Sequence, residues 1–352
     1  MKSELGQSFL RLLVALLIGL VVSGVFILLA GENPIDAYAA MLSGAFIGKL
    51  NILTTLRWSV PYMLAGVASA IAIRVGIFNM GLEGCLYLGG LTAGLVGAFL
   101  PGLPPVLHVA VCLLAAMAAG ALWLLIPAWL KAYHGVNEVI MTWMLSYIAV
   151  LACQFLAAEV FQRPEDITSA VQQVRTPEIL ETAKLPQLVP PYQLNAGLFI
   201  AIAVCVCYYV FCNRMKAGYE HRMIGLAPKF AEYGGVAVPK AQFWSLLASG
   251  AVGALAGGVE VLGVHYRYVH GFALDMGANG IMVSLMGRLN PVGVPVAGLF
   301  MGAVQNGARA MSRATDVSLD TVRILISVIV ICITAEGLYE FLRIKKKMRE
   351  GD

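Results

Sequence analysis

The chain is a succession of apolar runs, each about the 20 residues that cross a bilayer as a helix. About ten can be drawn, over residues 11–30, 53–73, 79–100, 106–128, 137–158, 196–213, 242–263, 279–289 with its approach, 291–310 and 321–342. At membrane depth no water satisfies the backbone, which leaves helices as the structure for such runs. Charged residues make up 12% of the 352 positions and hydrophobic ones 59%, against about a quarter charged in soluble domains. The expected fold class is all-α: one integral membrane domain over 1–352, with about ten transmembrane helices. The eighth run is the shortest, because Arg288 and Pro291 leave room for little more than a half-helix. The run Leu12–Ala30 exceeds the roughly 7–15 residues of a signal-peptide core and lacks a clear small-x-small cleavage site. It reads as a retained first span.

Orientation follows from the cations in the connections. With the N-terminus inside, the 24 Lys and Arg divide as fifteen inside and nine outside. The inner set includes Arg74, Lys131, Arg214, Lys216, Arg222, Lys229, Lys240, Arg288 and the tail from Arg343; the outer set includes Lys49, Arg57, Arg163, Arg175, Lys184 and Arg267. Both termini are therefore expected in the cytoplasm. A net charge of +4 is too small to imply a nucleic-acid partner. The seven cysteines sit in or beside apolar runs and form no CxxC or Cys/His set, so they read as small hydrophobes.

One short frame occurs twice. Asn79-Met80-Gly81-Leu82-Glu83-Gly84 returns as Asp275-Met276-Gly277-Ala278-Asn279-Gly280. Glycines and polar side chains among membrane-grade hydrophobes weaken a helix and are costly to desolvate. Their recurrence in both halves points to a duplication with an interrupted helix in each half. In the ten-span topology the first copy starts a helix running outward and the second one running inward, so the repeats are inverted. The boundaries read as a first repeat over 53–158, an outer loop over 159–195, an inner segment over 214–241 and a second repeat over 242–342. In the outer loop, Thr176-Pro177-Glu178-Ile179-Leu180 reads as the start of a short helix capped by Thr176. In the inner segment, Pro228–Tyr233 is bounded by Gly225 before and Gly234-Gly235 after, which marks another short helix. It offers Phe230, Tyr233 and Ile224 to the cytoplasm, either to a partner groove or to lipid headgroups.

The segment from Ile224 to Val236 resembles the coupling segment of ABC importer permeases, and more closely those for simple sugars, nucleosides and branched-chain amino acids. Phe78–Gly84, Gly135-Val136-Asn137-Glu138-Val139-Ile140 and Gly287-Arg288-Leu289-Asn290-Pro291-Val292-Gly293 agree with it, and the last two look most like the nucleoside branch. The resemblance runs from about Arg57 to the C-terminus. It implies a type II ABC importer-like fold in a bacterial inner membrane, with a cytoplasmic ABC ATPase, a second permease, homologous or identical, and an external solute-binding lipoprotein as partners. It also implies that Gly225, Pro228, Phe230, Ala231, Glu232, Tyr233 and Gly235 form the ATPase contact. In this chain Ala227-Pro228 opens the segment where relatives often have Asn-Pro, and Glu232 stands where a small residue is usual.

No ATP-binding signature is present: Gly44–Leu50 is one residue short of a P-loop and lacks its Ser or Thr. No cofactor is expected in this chain, and Mg-ATP would sit on the partner. No HExxH or Gly-x-Ser-x-Gly occurs, so an enzyme is not expected. Polar residues at membrane depth are functional candidates, here Asn79, Glu83, Asn137, Thr142 and Asn279 as a path for a small polar solute. For Glu83 and for Glu138 a second reading stands beside this one: bracing helix ends, or pairing with Arg74 and Lys131. The function expected is permease of an ATP-driven nucleoside importer. A monosaccharide permease of the same class, or an ion-coupled secondary transporter, is the alternative. Gly253-x-x-x-Gly257 and Gly298-x-x-x-Gly302 are expected to permit close helix contact.

Overall fold

The computed structural model of the chain describes residues 21–28, 31–161, 174–315 and 327. The run over 11–20, that over 321–342 apart from residue 327, Arg163 with its acidic neighbours Glu165 and Asp166, and the basic tail lie outside the described residues. Beyond a helical stretch at 21–28, the order is α1 (Pro34–Phe46), α2 (Lys49–Ile73), α3 (Leu82–Phe99), α4 (Pro105–Trp123), α5 (Leu125–His134), α6 (Glu138–Phe155), α7 (Gly197–Arg214), α8 (Lys216–Leu226), α9 (Pro228–Tyr233), α10 (Val238–Glu260), α11 (Met276–Met286) and α12 (Gly293–Ala314). A π-turn extends α6 over Leu156–Val160 and α10 over Val261–His265. Among the described residues no strand forms, only isolated bridges from Arg175 to Val269 and from Gln187 to Asn195.

Among the described residues, six helical stretches are long and apolar enough to cross a membrane: Lys49–Ile73, Leu82–Phe99, Pro105–His134, Glu138–Val160, Gly197–Arg214 and Val238–His265. The chain is thus an all-helical, multi-pass membrane protein. Several sequence-derived elements change in detail. The fourth run continues to His134 with a break at Leu124, because Pro127 has no N–H for the Trp123 carbonyl. The eighth is the 11-residue α11. The ninth is the 22-residue α12, which carries Gln305, Asn306, Arg309 and Arg313 and is not among the six. Helix α1 falls between the first two runs drawn from the sequence. Its start is nevertheless written in the chain: the Asn33 side chain accepts from the Ile35 N–H at 3.0 Å, and Pro34 occupies the first turn.

The chain divides into two compact units, Leu56–Gly302 and a smaller one from Met1–Thr55 with Ala303–Asp352. In the smaller unit Asn306 donates to the carbonyls of Gly44 (2.8 Å) and Asn51 (2.9 Å) and to the Thr55 hydroxyl (3.0 Å). Gly44 packs on Ala310 and Gly307 on the Met41 backbone. In the larger unit α3, α4 and α10 meet backbone to backbone through glycines. Gly257 lies on the Leu86 carbonyl, Gly89 on Ala254, and Gly120 and Gly250 on each other. In a bilayer apolar burial gives helices no preference for one another over lipid, so close van der Waals contact is what holds them. The second small-residue pair behaves alike: Gly298 packs on Met63 and Gly302 on Ser59.

Arg57 departs from its expected place in an outer connection. It lies within α2, 5% exposed, and donates to Glu260 of α10, 2% exposed, at 2.7 Å. The Trp58 ring lies 4.0 Å from its guanidinium carbon, and His265 Nε2 is 4.0 Å from the same carboxylate. Burial is possible because each charge neutralises the other. The outer loop also differs from expectation. Thr176 does not cap a helix; its N–H donates to the Tyr268 carbonyl (3.1 Å), and its hydroxyl accepts from the Tyr268 N–H (3.0 Å). The chain from Thr176 runs extended against Tyr266–Tyr268, and only Glu181–Ala183 forms a 3₁₀ turn. Tertiary donors and acceptors outcompeted the local cap. On that loop Lys184 donates to Glu178 (2.8 Å) and Glu181 (2.6 Å), and holds the Glu178 carboxyl below its ordinary range.

Two outcomes test this packing. Gly257→Val should destabilise the protein by about 1–3 kcal/mol, read as a lower melting temperature in detergent. Gly258→Ala should be much milder, since its Cβ would meet Ala116 at 3.2 Å and Ala93 at 3.4 Å. Arg57→Leu alone should cost about 3–5 kcal/mol by stranding the Glu260 carboxylate. Adding Glu260→Leu should restore most of that loss; an additive double variant would show that the two residues are not coupled.

Candidate functional site

The chain leaves helical geometry between Ile73 and Leu82, and side chains of α6 and α10 reach the polar groups at the end of that break. Gly76 turns the chain at φ +77°. Asn79, 2% exposed, donates from Nδ2 to the Ser249 hydroxyl (2.9 Å), and its Oδ1 accepts from the Gly81 N–H (2.9 Å). The Thr142 hydroxyl accepts from the Met80 N–H (3.1 Å) and donates to the Glu138 carbonyl (2.7 Å). Ser146 accepts from the Gly84 N–H at 2.9 Å. These side chains replace the intrahelical partners that the first turn of α3 lacks.

The second break precedes α11. Asp275 sits in the left-handed region at φ +62°, and its carbonyl accepts from the Asn279 N–H at 2.9 Å. Gly277 packs directly on the Glu83 backbone, where a Cβ would lie 2.7 Å from the Glu83 Cα, and Gly280 packs on Ala65 of α2. The two copies of the repeated frame therefore touch. Glu83 is half-buried and meets the Asp275 backbone N–H, while Asn279 is buried beside them.

The directions of the helices at this contact are fixed by their neighbours. Helix α2 is antiparallel to α10, with Arg57 on Glu260 at one end and Val75 clustered with Leu246 at the other. Helix α3 runs parallel to α10, Leu82 lying on Gly253 and Leu86 on Gly257. Helix α11 runs parallel to α2, Gly280 lying on Ala65 and Ser284 bonding Ser69 at 3.1 Å. Hence α3 and α11 start together at their N-termini and diverge in opposite directions. Two N-terminal ends with partial positive charge converge beside the Glu83 and Asp275 carboxylates.

The remaining site residues lie elsewhere. Asn137 is exposed and caps α6, accepting from the Val139 (3.0 Å) and Ile140 (3.4 Å) N–H groups. Glu138 pairs with Lys131 at 2.7 Å, the ion-pair alternative of the sequence reading. The residues that sequence reasoning passed over are Ser249, Glu260 and the buried state of Arg57. Glu260 was signalled only by being a carboxylate inside an apolar run.

The inner segment forms α8 and the single-turn α9. Phe230 is 68% and Tyr233 92% exposed, with Leu226 and Glu232 also outward. Ala231 and Ile224 face the other way, buried with Val75, Ile77, Cys85 and Leu246. Ile224 is thus an anchor, and not the offered surface residue the sequence suggested. Gly225 packs on the Arg74 carbonyl, and Gly235, at φ +81°, ends α9 while the Val236 N–H returns to the Ala231 carbonyl (3.0 Å). Among the described residues no three His, Cys, Asp or Glu gather to hold a metal ion.

Comparison with known proteins completes the description. The family described as "Branched-chain amino acid transport system / permease component" matches residues 51–334. The guanosine ABC transporter permease protein NupP of Bacillus subtilis (strain 168) is 33% identical over 95% of this chain and 96% of its own. The nucleoside ABC transporter permease protein NupB of Lactococcus lactis subsp. cremoris (strain MG1363) is 28% identical over 95% and 93%. The glucose ABC transporter permease protein TsgB13 of Haloferax volcanii is 30% identical over 96% and 89%. With a matching family over most of its length and a relative at this identity, the chain belongs to the branched-chain amino acid transport system permease family.

Proposed function

We propose that the chain is the membrane permease of an ATP-driven importer whose solute is a nucleoside. The observation that carries this reading is the 33% identity, over 95% of the chain, to a permease named for guanosine. The partners follow from the ABC class: a cytoplasmic ATPase that binds Mg-ATP, an external solute-binding lipoprotein, and a second permease, since one chain offers one coupling segment for two ATP sites. The membrane is a bacterial inner membrane, crossed about ten times with both termini in the cytoplasm, as the cation distribution suggests. The two halves are inverted repeats. What supports this is the head-to-head start of α3 and α11, one from each half.

In this reading the solute passes where the two breaks meet. Glu83 and Asn279 face the path and bond solute hydroxyls or base edges, while Asn79, Thr142 and Asn137 hold its lining in shape through the backbone bonds described above. The ATPase grips Phe230, Glu232 and Tyr233, and Gly225, Pro228, Ala231 and Gly235 give the segment its form. Both chemistries lie in binding and movement, with no bond made or broken on this chain. A monosaccharide as solute is the second reading, favoured by the 30% identity to a glucose permease.

The direct test is uptake of labelled guanosine and glucose by cells carrying the permease with its neighbouring ATPase, second permease and receptor. Guanosine uptake that stops when the ATPase is inactivated is expected; uptake that persists on an ion gradient alone would instead mark a secondary transporter. Tyr233→Asp should abolish ATPase co-purification and uptake with no change in melting temperature, because the side chain touches little of its own protein. Glu83→Gln should lower uptake by about tenfold or more at normal expression, the loss of one charge-assisted hydrogen bond; unchanged uptake removes Glu83 from the path.

A further inference from the structure

Beside the two breaks lies a cluster of aromatic rings. Residues 266–275, which lead into the second break, run without helix. At membrane depth such backbone occurs where it is buried in protein or lines a water-filled path. The segment lies along one stripe of α3 in the opposite direction. Gly277 packs on Glu83, the Ala273 N–H meets the Tyr87 hydroxyl, Phe272 packs on Gly90 and Tyr268 on Gly94. The fit is close: a Cβ on Gly90 would lie 2.6 Å from the Phe272 ring. Ring centroids are 5.2 Å apart for Tyr87 and Phe272, 5.7 Å for Tyr268 and Phe272, and 6.3 Å for Tyr87 and Tyr268.

Tyr268 is 0% exposed, yet its hydroxyl has no hydrogen-bond partner among the described residues. A buried hydroxyl in this position forfeits the bonds that water would give it. The segment is also strained, with Tyr266 at φ +55° and Asp275 at φ +62° bounding it in the left-handed region. Its backbone is paired with the outer loop. The Tyr266 and Tyr268 carbonyls accept from the Ile179 (2.9 Å) and Thr176 (3.1 Å) N–H groups, and the His270 N–H donates to the Val174 carbonyl (3.1 Å). What holds it to α3 is ring packing and two side chains, Tyr87 and Glu83. The segment can therefore part from α3 with its pairing to the outer loop intact.

We propose that Tyr268 reads the base of the solute, residues 266–275 parting from α3 to let it do so. This rests on the nucleoside reading above. The freed hydroxyl bonds a polar group on the edge of the base, while Tyr87 and Phe272 exchange their contact with each other for the faces of the ring. A ligand favours a second conformation only by binding it better than the first. Here the hydroxyl supplies that difference: with the segment closed it bonds nothing, and with the segment open it bonds a solute that carries a matching group. A solute without such a group opens the segment less readily, which makes the segment selective.

The test measures uptake of labelled guanosine and of purine riboside, each at a saturating concentration, by cells carrying the permease with its ATPase, second permease and receptor. Purine riboside has the ring system and the sugar without the oxo and amino groups of guanosine. Tyr268→Phe should slow guanosine about two- to tenfold, the loss of one hydrogen bond, and leave purine riboside unchanged. Its melting temperature in detergent should be equal or higher, since the hydroxyl removed has no partner to lose. Phe272→Leu, which removes a ring and keeps the hydroxyl, should slow both nucleosides alike. Tyr268→Phe rates that are unchanged, or that fall equally for both nucleosides, overturn the proposal while the nucleoside reading stands. A wild type that carries glucose and no guanosine overturns that reading, and this proposal with it.

Discussion

An interrupted helix inside a bilayer has to find a partner for every backbone group it frees, and the rest of this structure follows from how that is done. At the first break the partners are side chains. Asn79, Thr142 and Ser146 take the N–H groups of Gly81, Met80 and Gly84 that open α3. At the second the backbone closes on itself, Asp275 turning left-handed so that its carbonyl meets the Asn279 N–H. Both solutions fix the local conformation closely, so each break is a rigid feature.

Rigid breaks can be brought together only if the helices around them approach closely. The glycines supply that approach. Gly277 lies on Glu83, Gly257 on Leu86 and Gly280 on Ala65, leaving no room for a Cβ at any of the three. The Arg57–Glu260 pair ties α2 to α10 at the far end of the same helices. A lone charge there would be prohibitive; the pair, oriented by Trp58 and His265, makes the register of α2 against α10 specific.

The inner segment with α8 and α9 is joined to this arrangement through packing. Ile224 and Ala231 enter one cluster with Val75 and Ile77, within the first break, and with Cys85 in the first turn of α3. A displacement of α9 thus acts on side chains of the break itself. Its outward face, Phe230 and Tyr233, is exposed and contributes little to the stability of the chain itself.

The sequence by itself determined that the chain is helical and membrane-spanning, because long apolar runs admit no other backbone. It also marked the two breaks, since glycine and polar residues at membrane depth are conspicuous, and the single-turn α9, whose Pro and Gly boundaries are local signals. Family membership was legible for the same reason, residing in short contiguous motifs. What only the tertiary structure decided depends on partners distant in the chain. Asn79 became a bracket because Ser249 stands opposite; Arg57 became a core residue because Glu260 lies 203 positions away. Thr176 abandoned its helix cap for Tyr268, and Ile224 turned inward to meet Val75. Local signals state what a residue can do, and in a medium without water the nearest satisfied partner settles what it does.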